Sequence, residues 1–521
     1  MPKLARVSII VISLLAILAT ITVVVLPIAL SRYIRRNMIT ILRERFDSDV
    51  EIKGLQVIAL PYVYASVERV VLRHKGRTDV APLMMIHKLS ISASIVGLFQ
   101  SPMHLSSVHL QGLQIHVPPP DKDERPENKE PGKKFAPSVL IDEVISDDAL
   151  LETLPRDPTK DPRDFQIHSL VLRSFGFDRP ATFHAILTNA KPEGQIDSEG
   201  QFGPWQAEEP GRTPVAATFR FSNADLGTLR GLSGILSSTG KYGGTLGHLD
   251  VEGDTDTPDF AINIGGNPVP LKTHYVAVVD GTNGDTHLTS VEARLGNSTI
   301  HSSGDVVGIK GVKGRHILVQ AVSTGADIED FLRLAVKGKQ PFMKGIVGLR
   351  AKIDLPPREG ADIIDRLILV GQFDIAGARF TNPDTQQKLD SLSRRGQGHP
   401  TDDEIQDVIS NLRGGFVMRG GTITFSNLAF NVPGAAIELN GSYNLENEQL
   451  DFHGHVFLDV KLSQTVTGAK STLLKLVDPF FKRNGGGSSI PIEITGNRSH
   501  PDFGLELRRQ YDKEDNRRDN K

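Results

Sequence analysis

His453 and His455 stand two residues apart and would project from the same side of a strand. Two imidazoles on one face bind zinc when a third ligand converges on them. No further ligand motif accompanies the pair, and the plainer reading is a solvated polar face opposite Phe452 and Val456. Gly485-Gly486-Gly487-Ser488-Ser489 has the look of a phosphate cradle. It lacks the Lys-Ser/Thr ending that a P-loop requires, so a hairpin connection is expected there. No G-x-S-x-G elbow is present, which removes support for an α/β-hydrolase. The chain has no cysteine, so zinc-thiolate sites, disulfides and cysteine nucleophiles are all excluded. Asp and Glu are spread along polar strand faces, and no catalytic pair can be picked out. The expectation is a protein without catalytic residues, metal or cofactor.

The bulk numbers exclude further classes. Over 521 residues the formal net charge is -3, whereas nucleic-acid binders carry a basic face and a high pI. Hydrophobic residues make up 39% of the chain, Gly occurs 49 times and Trp once. That composition suits many short strands and turns. The length implies two to four units at about 100–200 residues per domain, or one elongated array.

The elements that would position any site are mostly strands. Leu450, Phe452, Gly454, Val456, Leu458 and Val460 alternate with Asp451, His453, His455 and Asp459. A period of two marks a half-buried strand. The same alternation runs through Val215–Phe221, Val347–Leu355, Ile437–Tyr443 and Phe503–Leu507. Gly243-Gly244, Asn283-Gly284, Gly420-Gly421 and Asn440-Gly441 supply turns between such runs. Sheets of this kind have one apolar and one wet face and are mostly antiparallel. Two helices are expected, one at 401–412 behind the capping box Thr401-Asp402-Asp403-Glu404, and one at about Ser463–Phe481. A weaker helical candidate covers Val139–Leu154.

The N-terminus carries an uncharged run of 24 residues, Val7–Leu30. At 1.5 Å per residue such a helix covers roughly 36 Å, enough for a hydrocarbon core of ~30 Å. The expectation is a retained transmembrane anchor with the bulk of the chain outside the cytoplasm. The alternative is a signal peptide cut near Ala29 and Ser31, but apolar regions of signal peptides span only about 7–15 residues. Beyond the run, Ile34, Met38, Ile41, Leu42 and Phe46 recur at helical spacing. Arg32, Arg35 and Arg36 lie where they would meet anionic headgroups if this helix sat at a membrane interface. Packing of the same helix on the next strand is the simpler reading.

Several segments resemble the AsmA-like family of bacterial envelope proteins, which includes TamB-type relatives. The text that carries the resemblance is Phe221-Ser222-Asn223-Ala224-Asp225-Leu226, Gly231-Leu232-Ser233-Gly234, Gly243-Gly244-Thr245-Leu246 and Val251-Glu252-Gly253. Near the end come Gly441-Ser442-Tyr443-Asn444-Leu445, Leu450–Gly454, Ile490–Gly496 and Pro501-Asp502-Phe503. The match covers residues 200–521 and, by plan, the anchor; residues 50–200 match loosely. The resemblance implies an elongated, curved, mostly antiparallel β-sheet forming a groove. It also implies a single-pass protein of the bacterial inner membrane, with its bulk in the periplasm, acting in outer-membrane biogenesis. Its partner would be phospholipid, moved along an apolar trough without chemistry. Outer-membrane or envelope assembly proteins are further partners, and nucleic acid is not one.

The organisation expected is a cytoplasmic tail and anchor (1–30), an N-terminal β module with its helical lead-in (31–117) and a polar Pro-rich linker (118–135). A central β-groove region (136–395), a C-terminal module with helices (396–510) and a tail (511–521) follow. Phe425, Leu439, Phe452, Val456 and Leu458 are the expected lane residues, against the alternative that they are ordinary sandwich core. A second function class is an assembly factor that docks envelope proteins by β-augmentation on a bare sheet edge.

Overall fold

The computed structural model describes residues 12–15, 25–46, 48–59, 62–74, 76, 81–117, 139–153, 163–176, 178–206, 209–263, 267–309, 312, 314–336, 338, 340–358, 360–401, 408–483 and 485–506. These are mainly β, as the alternation predicts, with few helices. Twenty-six strands belong to one sheet. The first ten are β1 (Ser48–Lys53), β2 (Gln56–Ile58), β3 (Val63–Val67), β4 (Arg69–His74), β5 (Met84–Ala93), β6 (Met103–Val117), β7 (Val139–Thr153), β8 (Arg163–Gly176), β9 (Ala181–Ala190) and β10 (Glu193–Phe202). Then come β11 (Pro214–Asp225), β12 (Leu232–Ser233), β13 (Ile235–Thr245), β14 (His248–Ile262) and β15 (Val269–Val279). The last eleven are β16 (Thr286–Leu295), β17 (Ser298–Gly308), β18 (Arg315–Asp327), β19 (Met343–Leu355), β20 (Ile368–Phe380), β21 (Ser410–Arg419), β22 (Thr422–Val432), β23 (Ala435–Asn444), β24 (Gln449–Leu458), β25 (Ser488–Asn497) and β26 (His500–Leu505).

The chain divides into two compact units. The first holds residues 1–224 with 238–252 and 278–284. Its ladder runs β1–β4–β5–β6–β7–β8–β9–β10, with β3 also on β5 and β2 on β3. Strands β6 and β7 pair in parallel, which requires a crossover between them. The expected linker 118–135 falls within that connection and lies outside the described residues. Helix α1 (Leu26–Phe46) packs on this sheet. Leu30 and Ile34 are buried, and Leu26, Tyr33, Met38, Ile41, Leu42 and Phe46 pack against the same core. Leu72, Val63, Val67 and Val70 are its fully enclosed centre.

Most of the expected anchor Val7–Leu30 also lies outside the described residues. Among those described, no helix is long and apolar enough to cross a membrane. The described helix Leu26–Phe46 carries Arg32, Arg35, Arg36, Arg43, Glu44 and Arg45. It packs on the sheet through Leu30 and Ile34.

The second unit holds 225–237, 253–277 and 285–521. From β16 to β26 each strand pairs antiparallel with the next. Bulges interrupt β18 between Ser323 and Ala326, β20 between Ile375 and Ala378, and β22 between Phe425 and Leu428. A bulge inserts a residue and bends the strand. Ile375 and Ala378, three residues apart, are thus both buried.

Three helix expectations change. Residues 139–153 form β7. Asp148 and, on β8, Ser174 take positive φ of 53° and 56°. These irregularities shift the phase of burial, so that Val139, Ile141, Val144 and Ala149 are buried at a spacing that imitates a helix. At the second site, Ser410 onward is strand β21, which takes Leu412 into the sheet; residues 402–407 lie outside the described residues. The third helix is broken into a 3-10 turn (Leu462–Thr465), α6 (Ala469–Leu474) and a second 3-10 turn (Asp478–Phe481). The other helices are α2 (Ile95–Leu98), α3 (Ile328–Ala335), α4 (Ile363–Arg366) and α5 (Pro383–Gly396).

Candidate functional site

Strand pleating puts one residue in two on the apolar face of the second unit, and the register lines these up across strands. One row reads Ile375–Leu412–Phe430–Ile437–Val456–Ile490. The next contains Phe373 opposite Gly414, then Leu428–Leu439–Gly454–Ile492–Leu505. A third reads Gly371–Phe416–Phe425–Gly441–Phe452–Ile494–Phe503.

The first row is roofed. Leu389 of α5 forms a closed cluster with Val408, Phe430, Val432, Ala435, Val456 and Leu458, and Leu392 packs on it. Helix α5 starts where Asn382 accepts hydrogen bonds from the backbone N–H of Asp384 and Thr385, with Pro383 in its first turn. Its buried face is partly polar. Gln386 donates to the carbonyl of Val408 (3.1 Å) and to Asp390 (3.0 Å), and Asp390 accepts from the N–H of Val408 (3.0 Å). Ser393 donates to the carbonyl of Pro433 (2.7 Å). Every one of these buried polar groups has a partner, which is the condition for burying them at all.

The second and third rows are not part of that cluster's buried centre. Phe373, Phe416, Phe425, Leu428, Ile492 and Ile494 are half-buried. Phe503 and Leu505 are 61% and 53% exposed. Aromatic rings run along the two rows: Phe373 lies 6.2 Å from Phe416 and 6.3 Å edge-on from Phe425, and Phe425 lies 5.8 Å from Phe452. The rings lean over glycines of neighbouring strands. A Cβ on Gly441 would come within 2.7 Å of the Phe452 ring, and one on Gly371 within 2.6 Å of the Phe416 ring. None of the residues in the two rows is charged. From β20 to β26 they cross six strand spacings, roughly 29 Å at ~4.8 Å each.

The border beyond the third row becomes polar at Tyr443, which pairs with Leu450. Burial raises the phenol pKa above its usual value, and the nearby Glu448 raises it further. Arg498 donates to Glu448 at 2.9 Å. The strip thus offers an apolar bed with a polar margin and holds no nucleophile or acid–base pair.

Four of the five expected lane residues, Leu439, Phe452, Val456 and Leu458, are buried, and Phe425 is half-buried. Val456 and Leu458 are packed core beneath α5. Phe425 and Phe452 belong to the aromatic row, with Leu439 beside them. Phe373 and Phe416, which complete the row, were not singled out in the sequence; their signal was their cross-strand glycine partners, readable only once the register is known.

The histidine pair lies on the opposite, polar face. His453 is held by Asp451 at 3.0 Å and approaches Glu506 at 3.4 Å, while His455 stacks on Phe457 at 6.0 Å between ring centres. Among the described residues no group of three or more His, Cys, Asp and Glu could hold a metal ion. Gly485, Gly486 and Gly487 all take positive φ in the connection to β25. In the first unit a cavity of about 410 Å³ is lined by Arg173, Thr182, His184, Glu199 and Gln201. Its His184 is bonded to Asp197 at 2.8 Å and Arg173 faces Glu143 at 3.4 Å, so its polar wall is internally paired there.

Arg32, Arg35 and Arg36 are exposed on α1, on the side away from Leu30 and Ile34. One turn earlier on that side Val25 and Ile28 are also exposed, at 52% and 51%. The exposed side of the helix thus changes from apolar to cationic at Arg32. No family model, curated protein or solved structure matches this chain.

Proposed function

We propose that the protein binds phospholipid acyl chains along the two unroofed apolar rows of its second unit. It acts without covalent chemistry, as a membrane-anchored, AsmA-like protein of the bacterial envelope serving outer-membrane biogenesis. The observation that carries the reading is a partly exposed strip of uncharged Phe, Leu and Ile side chains, buried at Leu439 and Phe452 and open towards Phe503 and Leu505, roughly 29 Å long. An acyl chain removed from water gains about 0.8 kcal/mol per CH₂. A sheet face that is apolar, ring-lined and edged by Tyr443 and Arg498 can take the tail while leaving a headgroup wet. The bilayer is the source of the lipid, with the Val7–Leu30 run as anchor and Arg32, Arg35 and Arg36 at its headgroup layer.

The test is purification of the full chain followed by lipid mass spectrometry. Phospholipid should co-purify and be displaced by a Phe425→Asp substitution; a lipid-free protein would overturn the reading. A second reading keeps one specific observation. Strand β26 pairs only with β25 among the described residues, so it offers an edge to which an envelope protein strand could add. Capture of an added strand that is abolished by a proline in β26 would favour that assembly role.

A further inference from the structure

Residues 462–483 lie in the connection between β24 and β25. Its backbone is stitched to itself. Asp478 accepts hydrogen bonds from the N–H of Ser463 (2.8 Å) and from its hydroxyl (2.7 Å). Ser471 donates to the carbonyl of Ser463 at 2.7 Å. Ser463 and Thr465 are buried in consequence. A segment ordered in this way would ordinarily turn its large apolar side chains inward. Here Leu473, Leu476 and Phe480 are 66%, 74% and 83% exposed.

The charges around them are one-sided. Lys470, Lys475, Lys482 and Arg483 are all exposed. Asp478, the one acidic residue within 462–483, is occupied by Ser463. Arg483 also lies over the Phe457 ring at 4.7 Å, which fixes its stem against the sheet. Apolar side chains projecting among cations are the pattern of a segment that sits in the boundary between headgroups and acyl chains of an anionic bilayer.

We infer that residues 462–483 form a membrane-seating platform that docks on an anionic phospholipid surface through Leu473, Leu476 and Phe480, with the surrounding lysines and arginine on the phosphates. The inference goes beyond the lipid-binding strip and does not depend on it. The strip concerns single lipids on the sheet face, whereas the platform concerns the surface on which that part of the chain rests.

The absence of cysteine makes the test clean. Thr472, exposed beside Leu473, is changed to Cys and labelled with an environment-sensitive fluorophore in the full chain, held in phosphatidylcholine nanodiscs. Separate phosphatidylglycerol vesicles carrying a quenching lipid are then added. The label should shift to the blue and be quenched by those vesicles. Lys470→Gln with Lys475→Gln should weaken the partitioning about thirty-fold, and Leu476→Ser with Phe480→Ser at least about ten-fold. No response to the anionic vesicles overturns the inference, as does an equal response to phosphatidylcholine vesicles. A blue shift that grows with protein concentration in the absence of vesicles also overturns it and assigns the platform to self-association. Lipid retained on the sheet face in any of these outcomes leaves the strip's reading intact, so the two fail separately.

Discussion

The row through Phe430 and Val456 and the row through Phe425 and Ile494 lie on the same face of the same strands, one row apart, with the same alternation and the same aliphatic and aromatic chemistry. One is core and the other is half-open. The difference is α5: Leu389 and Leu392 close the first row, whereas α5 meets the third row at Phe503 only through the Lys388 ammonium, 5.4 Å from the ring centre. A period of two therefore fixes which side chains share a face. Whether that face is core or binding surface depends on what arrives from elsewhere in the chain.

The comparison is broken most severely by emptying the roofed side. Leu458, 3% exposed, lies among the packed residues under α5, and Leu458→Ala should cost about 3 kcal/mol of unfolding free energy. Denaturant titration of the purified protein measures it. A loss below about 1 kcal/mol would mean that the roof is loose. Next in size is Asp390→Ala, which leaves the N–H of Val408 without its acceptor and removes one of the two hydrogen bonds donated by the Gln386 amide. Unsatisfied buried donors cost about 1–3 kcal/mol, so α5 should loosen and its amides should exchange faster with solvent.

On the open side the prediction reverses. Phe425→Asp should change stability by less than the Leu458 substitution but reduce retained lipid about ten-fold, because it places a charge in the middle of an apolar bed. Lipid mass spectrometry beside the same titration separates the two effects. The smallest effect is on pH dependence. The pKa of Tyr443 is raised by burial in the folded chain, so its neutral form is favoured there. The associated stability is complete below the ordinary phenol value of about 10 and is lost as pH rises through the folded value. Tyr443→Phe should flatten part of that alkaline fall. Tyr242, raised for the same first cause in the other unit, contributes in the same direction.

These contrasts also explain what could be read from residues alone. The alternation Leu450–Leu458 gave β24 and its facing correctly, because both faces have distinct chemistry and a one-residue slip would expose every apolar side chain. Helix α5 was not legible: its buried side includes Gln386, Asp390 and Ser393, so no apolar stripe announces it, and its hydrogen bonds go to Val408 and Pro433, far off in sequence. Asn382-Pro383 was its only local signal. Strand β7 was misread for the opposite reason. The irregularities at Asp148 and Ser174 break the alternation that would have revealed it. The aromatic row shows a third limit, since Gly441 and Gly371 matter through partners on other strands.

The most direct measurement places photo-reactive side chains, one at a time, at Phe425 and Ile494 on the open rows and at Val456 and Leu458 under α5, in the full chain irradiated in native membranes. The account predicts phospholipid adducts at the first two positions and none at the second two. Adducts at all four, or at none, would contradict it.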